Sequence, residues 1–168
     1  MSHKSSRGQA LVEFALVLPI LVGMLMGFFD LGRVVLANDL ISSAANEATR
    51  FAIVHGGSRS TACPVGPPDP IYTVIPPASD SCPYPSPSKE AIREVARDFA
   101  AAGGGISVTV EVCYGAGCSG DTDVPNATNV RGTPVTVTVH AGVPMVAASF
   151  VGLAHFDLTS TSTMLVNH

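Results

Sequence analysis

A single carboxylate, Glu13, stands inside an otherwise uncharged run, ALVEFALVLPILVGMLMGFF, from Ala10 to Phe29. A charged side chain at the centre of a bilayer costs on the order of 2.5–3.5 kcal/mol, and less near the edge where Glu13 falls. An intramembrane carboxylate is by default a functional residue with a partner to be named. The plainer alternative is a carboxylate that snorkels into the headgroups, which an isolated glutamate favours. Glu13 is not isolated. Gly8 precedes it by five positions, in Gly8-Gln9-Ala10-Leu11-Val12-Glu13-Phe14, directly behind a leader whose only formal charges are Lys4 and Arg7.

The remaining chemistry-bearing residues give little. Five histidines are scattered, with no local His/Asp/Ser or HExxH pattern. His140 and His155 are expected to be ordinary satisfied or exposed histidines. Gly103-Gly104-Gly105 lies ahead of a strand, the wrong order for a phosphate-binding turn. Asp121, Asp123 and Asn126 lack the spacing and distal glutamate of a calcium loop. Asn126-Ala127-Thr128 fits a glycosylation sequon of a kind common by chance. No catalytic, metal or cofactor site is expected. Four cysteines fall into two local pairs, Cys63 with Cys82 and Cys113 with Cys118. No Cys-x2-Cys or His at ligand spacing favours zinc, so an exported chain would read as two local disulfides. Four cysteines allow three pairings, which keeps this a preference. Closing the Cys63 loop would contribute nominally ~3 kcal/mol.

Stepping outward to the elements, the 168-residue chain is 46% hydrophobic and only 13% charged, against about 25% charged in an average soluble domain. Its net charge of −4 is too small and too acidic for a non-specific nucleic-acid binder. The apolar excess concentrates in Ala10–Phe29. As a helix this run is about 30 Å long, the thickness of a bilayer core. The basic leader keeps its own end cytoplasmic and puts everything after residue 30 outside. A secretory signal peptide cut after Ala37, in Val35-Leu36-Ala37, is the alternative. The apolar run is too long for one, the helical pattern passes through the cut, and Glu13 has no use there.

The helix continues beyond the membrane. Val34, Ala37, Ile41, Ala44, Ala45, Ala48, Phe51 and Ala52 recur at three- and four-residue steps. Arg33, Asn38, Asp39, Ser42, Asn46, Glu47 and Arg50 take the other face. From Ala10 to Val54 the helix would reach about 68 Å, loosened at Pro19 and ended by His55-Gly56-Gly57. Nine of the thirteen prolines lie between Pro64 and Pro87, which makes 58–88 an irregular loop. Ser86-Pro87-Ser88 opens a second helix whose stripe is Ile92, Val95, Ala96 and Phe99, stopped at Gly103. Period-two alternation then predicts strands over Ile106–Tyr114, Val135–Ala141 and Leu158–Val166. A Gly/Asp/Asn hairpin loop spans 115–133, and Val143–Phe156 connects the last two strands. A pilin-like α+β architecture follows, with the second helix on a small antiparallel sheet.

The string RGQALVEFALVLPILVGMLMGFFDLGRVV closely resembles the opening of TadE-like minor pilins, the pseudopilins of the tight-adherence (Tad/Flp) type IV pilus system. That resemblance implies cleavage after Gly8 by a membrane-embedded aspartyl prepilin peptidase, with Gln9 as the new N-terminus. Glycine at the cut avoids a side-chain clash in a crowded active site. The Gln9 amine and Glu13, one turn apart, would pair between molecules in a low-dielectric bundle and set subunit register, with Phe14 beside them. The resemblance further implies a non-enzymatic subunit that supports pilus biogenesis and adhesion. Its partners would be the peptidase, other pilins and minor pilins, the inner-membrane assembly platform and the lipid bilayer, with no nucleic acid. Five regions are expected: a leader over 1–8, a transmembrane segment over 9–30, an amphipathic continuation over 31–57, the Pro-rich loop over 58–88, and an extracytoplasmic head over 89–168. The alternatives are an unprocessed single-pass protein with a binding head, or a released exported domain.

Overall fold

The computed structural model describes residues 6–55, 65–67, 89–102, 106–147, 152 and 155–167. In chain order these form helices α1 (Ser6–Val54) and α2 (Glu90–Ala102), then strands β1 (Val108–Tyr114), β2 (Pro134–Pro144) and β3 (His155–Leu165). The strands make one antiparallel sheet in the order β1-β2-β3, so the class is α+β as expected. Two compact units partition the chain: Met1–Leu36 with Val143–Phe156, and Ala37–Gly142 with Asp157–His168.

α1 runs 49 residues, beginning four positions before Ala10, and helical backbone continues on both sides of Pro19. Its outer half follows the expected stripe. Ala37, Ile41, Ala44, Ala45, Ala48 and Ala52 are fully buried, while Arg33, Asn38, Asp39, Asn46, Glu47 and Arg50 are exposed. Thr49 joins the buried face without appearing in that pattern. Its hydroxyl donates to the Ala45 carbonyl at 2.6 Å, with the Ser162 carbonyl at 3.4 Å, so a buried polar group is satisfied from within the helix. His55 closes α1: its N–H and its ring Nδ1 both reach the Phe51 carbonyl, and the ring stacks on Phe51 at 4.1 Å. Gly56-Gly57 lies outside the described residues.

The sheet is set by alternation. Val135, Val137, Val139, Ala141 and Val143 of β2 are buried, while the residues between them are not. β1 pairs with β2 from Val108↔Ala141 to Tyr114↔Val135. This puts Val110, Val112 and Tyr114 on the same face, where Ile41, Ala45, Ala48 and Ala52 of α1 and Ile92 and Ala96 of α2 complete the core. A slip of one residue would turn that whole set to water. On the opposite face, hydroxyl contacts join β2 to β3: Thr136 to Thr163 at 2.9 Å and Thr138 to Thr161 at 3.2 Å.

Strand ends differ from the sequence reading for a reason visible in this register. β2 and β3 extend together, to Pro144 and back to His155, because each supplies the other's ladder. Alternation within either strand alone ends earlier. β1 starts at Val108, not Ile106, where its pairing with Ala141 starts. On α2 the buried row is Ile92, Ala96 and Ala100; Phe99 is 42% exposed. The i, i+4, i+8 row faces the sheet, and the small alanines let it approach closely. The expected start at Ser86-Pro87-Ser88 and stop at Gly103-Gly104-Gly105 fall outside the described residues.

β1 is an edge strand, and the 115–133 hairpin loop covers its free side. Asp121 accepts the Val112 N–H at 3.0 Å and Asp123 accepts the Tyr114 N–H at 2.8 Å. α2 and the residue just before it hold both carboxylates. Arg93 pairs with Asp121, and Lys89 pairs with Asp123 at 2.8 Å. Burial pushes Asp121 upward, but Arg93, the Val112 N–H and Lys89 outweigh it and leave its pKa lowered. The Arg97 and Arg93 guanidiniums likewise hold Glu90 below the usual carboxylate range. A group with a lowered pKa stabilises the fold above its unfolded value, and that stability is lost as pH falls through the folded one. Thermal melts are therefore expected to show declining stability below about pH 4. Asp121→Asn should flatten that decline and cost about 1 kcal/mol at neutral pH, given its partial exposure.

From the Pro-rich region the described residues are 65–67, which dock on the head. Val65 N–H donates to the His55 carbonyl at 2.8 Å, and the buried Asn129 amide donates to the Val65 carbonyl. Gly66 has φ +98°, and a Cβ there would stand 2.6 Å from the Tyr114 hydroxyl. Only glycine suits both demands. Gly66→Ala is expected to destabilise the head by about 2–4 kcal/mol, read as a lowered denaturation midpoint.

Candidate functional site

The residues singled out from the sequence lie on the first turns of α1. Gly8 is helical and exposed, and nothing stands within 4 Å of where its Cβ would be. Glycine inside a helix costs about 1 kcal/mol relative to alanine, and this fold supplies no reason for it. Gln9, Glu13 and Phe14 are exposed as well. Ala10, Glu13, Phe14 and Val17 share one face, as i, i+3, i+4 and i+7 must. They line a shallow hollow there, with the small Ala10 leaving room beside the carboxylate.

Around them the helix is bare. Large apolar side chains from Leu11 to Leu36 are exposed, including Leu11 and Leu16 at 70% and Phe29 at 75%. α1 is long and apolar enough to cross a membrane, and none of its most apolar window is buried within the chain. Exposed apolar surface on this scale belongs in lipid or against other helices. Gly23 and Gly27 also meet nothing within 4 Å. Their spacing is the small-xxx-small pattern that lets helices approach closely in a bilayer.

Asp30 ends the apolar run. It is buried, and its two carboxylate oxygens accept the N–H groups of Val146 at 3.0 Å and Ala147 at 2.6 Å. Charge-assisted bonds of this kind offset the cost of burying the carboxylate. They tie the β2–β3 connection to the helix, a pairing more than a hundred positions apart that no local pattern reveals. Asp30→Ala is expected to free this connection, at about 1.5–3 kcal/mol, and hydrogen exchange at Val146 and Ala147 should rise accordingly.

Cys113 and Cys118 form a disulfide with Cα atoms 6.0 Å apart, closing the Tyr114–Gly117 turn as the local pairing expects. Cys63 and Cys82 lie outside the described residues. On the outer face of the sheet, His140 contacts the Thr159 hydroxyl at 3.0 Å and approaches Glu111 at 3.4 Å. Asp121 and Asp123 face backbone N–H groups and the cations Arg93 and Lys89. Among the described residues, no three of His, Cys, Asp and Glu gather as metal ligands.

The geometry thus singles out the N-terminal helix, with its bare apolar surface, the exposed Glu13 carboxylate inside that surface and an unexplained glycine. Residues 8–50 match the model of the TadE-like protein family. This TadE-like segment starts on Gly8, includes Gln9, Glu13, Phe14 and Asp30, and stops short of the end of α1. The head lies beyond the matched residues. Neither the curated proteins nor the solved structures give a match.

Proposed function

We propose that this chain is a minor pilin of a Tad pilus, made as a membrane-held precursor and cut after Gly8 by a prepilin peptidase. The observation that carries this reading is the TadE-like match starting on Gly8, over a helix whose apolar surface has no cover among the described residues. Removal of the leader leaves Gln9 with a positive amine one turn from Glu13. In a bundle of such helices that amine meets the Glu13 of a neighbour, and the steep distance dependence fixes the register. The exposed side chains from Leu11 to Leu36 exchange lipid for sister helices as the subunit leaves the membrane.

The N-terminus faces the cytoplasm before processing, by the Lys4 and Arg7 rule, and the head lies outside. The subunit works by packing and has no catalytic role of its own. Its partners are the peptidase, other pilins and the inner-membrane assembly platform, and its output is pilus biogenesis with the adhesion that follows. The single-pass anchor with a binding head gives no use to a glycine that the fold does not need. Release by signal peptidase fares worse, since Ala37 lies within α1 and is fully buried. Deleting the chain from its host and counting surface filaments is the test. Loss of filaments, restored by the wild-type chain, supports the proposal; unchanged filaments contradict it.

A further inference from the structure

The sheet's two edges are finished differently. On β1 the outward groups at its C-terminal end are taken: the Val112 and Tyr114 N–H by Asp121 and Asp123, the Tyr114 carbonyl by the Val124 N–H at 3.0 Å. On β3 the register with β2 turns even-numbered residues inward to their partners; just past the strand, the Val166 N–H donates to the Thr133 carbonyl at 2.9 Å. Odd-numbered residues therefore aim their N–H and C=O groups away from β2. Among the described residues, no backbone partner meets Thr159, Thr161 or Thr163 on that side, and all three are exposed.

Proteins blunt such edges with charge, proline, bulges or a covering segment. Between Leu158 and Leu165 there is no charge, no proline and no glycine. What stands there is Leu158-Thr159-Ser160-Thr161-Ser162-Thr163-Met164, chemically the same read in either direction. Laid antiparallel on itself about Thr161, it sets Thr161 against Thr161, Thr159 against Thr163, Ser160 against Ser162 and Leu158 against Met164. The threonine pairs fall on the hydrogen-bonding positions. Their hydroxyls extend a pattern that β2 and β3 already use in Thr136–Thr163 and Thr138–Thr161. A foreign strand would have no reason to find its own composition mirrored.

We propose that β3 is a self-pairing edge, and that two copies join antiparallel about Thr161 into one sheet with three strands from each. Pairing about a two-fold axis uses up the β3 edge of both copies, and Asp121 and Asp123 obstruct the C-terminal half of β1, so the assembly stops at two, an isologous pair and not a ladder. This pairing goes beyond the pilus reading and needs no cleavage of the leader.

The test is thiol cross-linking of the full chain in its host membrane, with a bridging reagent of about 8 Å reach. Facing Cα atoms in a hydrogen-bonded pair are ~5.5 Å apart, whereas Thr159 would stand about 14 Å from Thr159 of the other copy. Thr161→Cys should give at least tenfold more dimer than Thr159→Cys or Thr163→Cys alone, over the background of the wild-type chain. Thr159→Cys chains should bridge to co-expressed Thr163→Cys chains. Thr161→Pro removes an N–H that faces away from β2 and one exposed hydroxyl contact to Thr138, changes an edge strand tolerates. It should abolish the Thr159–Thr163 bridge while β2 amides keep their protection from exchange. Equal bridging at all three positions, none at Thr161→Cys, a ladder of higher species, or an adduct with a chain of different mass overturns the proposal.

Discussion

Glu13→Ala is expected to leave the chain in the membrane and abolish its assembly into filaments. Removing the carboxylate makes insertion easier, by less than the ~2.5–3.5 kcal/mol of a mid-bilayer charge. The membrane-bound fraction should therefore be undiminished. What is lost is the partner of the Gln9 amine. Stripping one member from a buried pair leaves the other uncompensated, a cost of about 3–5 kcal/mol and more than a hundredfold in association. Glu13→Gln keeps the size and polarity and removes only the charge, so it should fail in the same way. Because the side chain is exposed on the helix, the head should melt as in wild type. Membrane fractionation beside filament counts checks this. Wild-type filament numbers from Glu13→Ala would contradict the registration role.

Gly8→Ala should hold the precursor unprocessed. The fold gives an unusually clean background here, since an added methyl meets nothing within 4 Å. Alanine also favours the helix by about 1 kcal/mol. A processing defect therefore reads as a clash in the peptidase and not as damage to the substrate. Displacement of the scissile bond in a peptidase site slows reaction on the order of a hundredfold. Pulse–chase followed by mass measurement should show the leader retained, and a wild-type rate would contradict the assignment of Gly8.

Much of this architecture was legible because it is written in local periodicity. The three- and four-residue steps of Ala37 to Ala52 put the right side chains in the core, and the alternation of Val135 to Ala141 set the inward face of β2. Cys113 and Cys118 lie close enough in sequence for their pairing to be read from spacing. What escaped depends on distant partners. Asp30 becomes informative only when the N–H groups of Val146 and Ala147 arrive beside it. Asp121 and Asp123 carry no calcium signature because their task is to cover the β1 edge under Lys89 and Arg93. Thr49 hides in a stripe of alanines by bonding its own helix. The site at Gly8, Glu13 and Phe14 was visible as a pattern, and the structure adds that the fold itself makes no use of it.

The most direct measurement is the N-terminal sequence of the mature chain purified from its host membrane. A start at Gln9 is the result predicted here. A start at Met1 would make the chain an unprocessed membrane protein, and a start at Asn38 an exported domain; either contradicts the account.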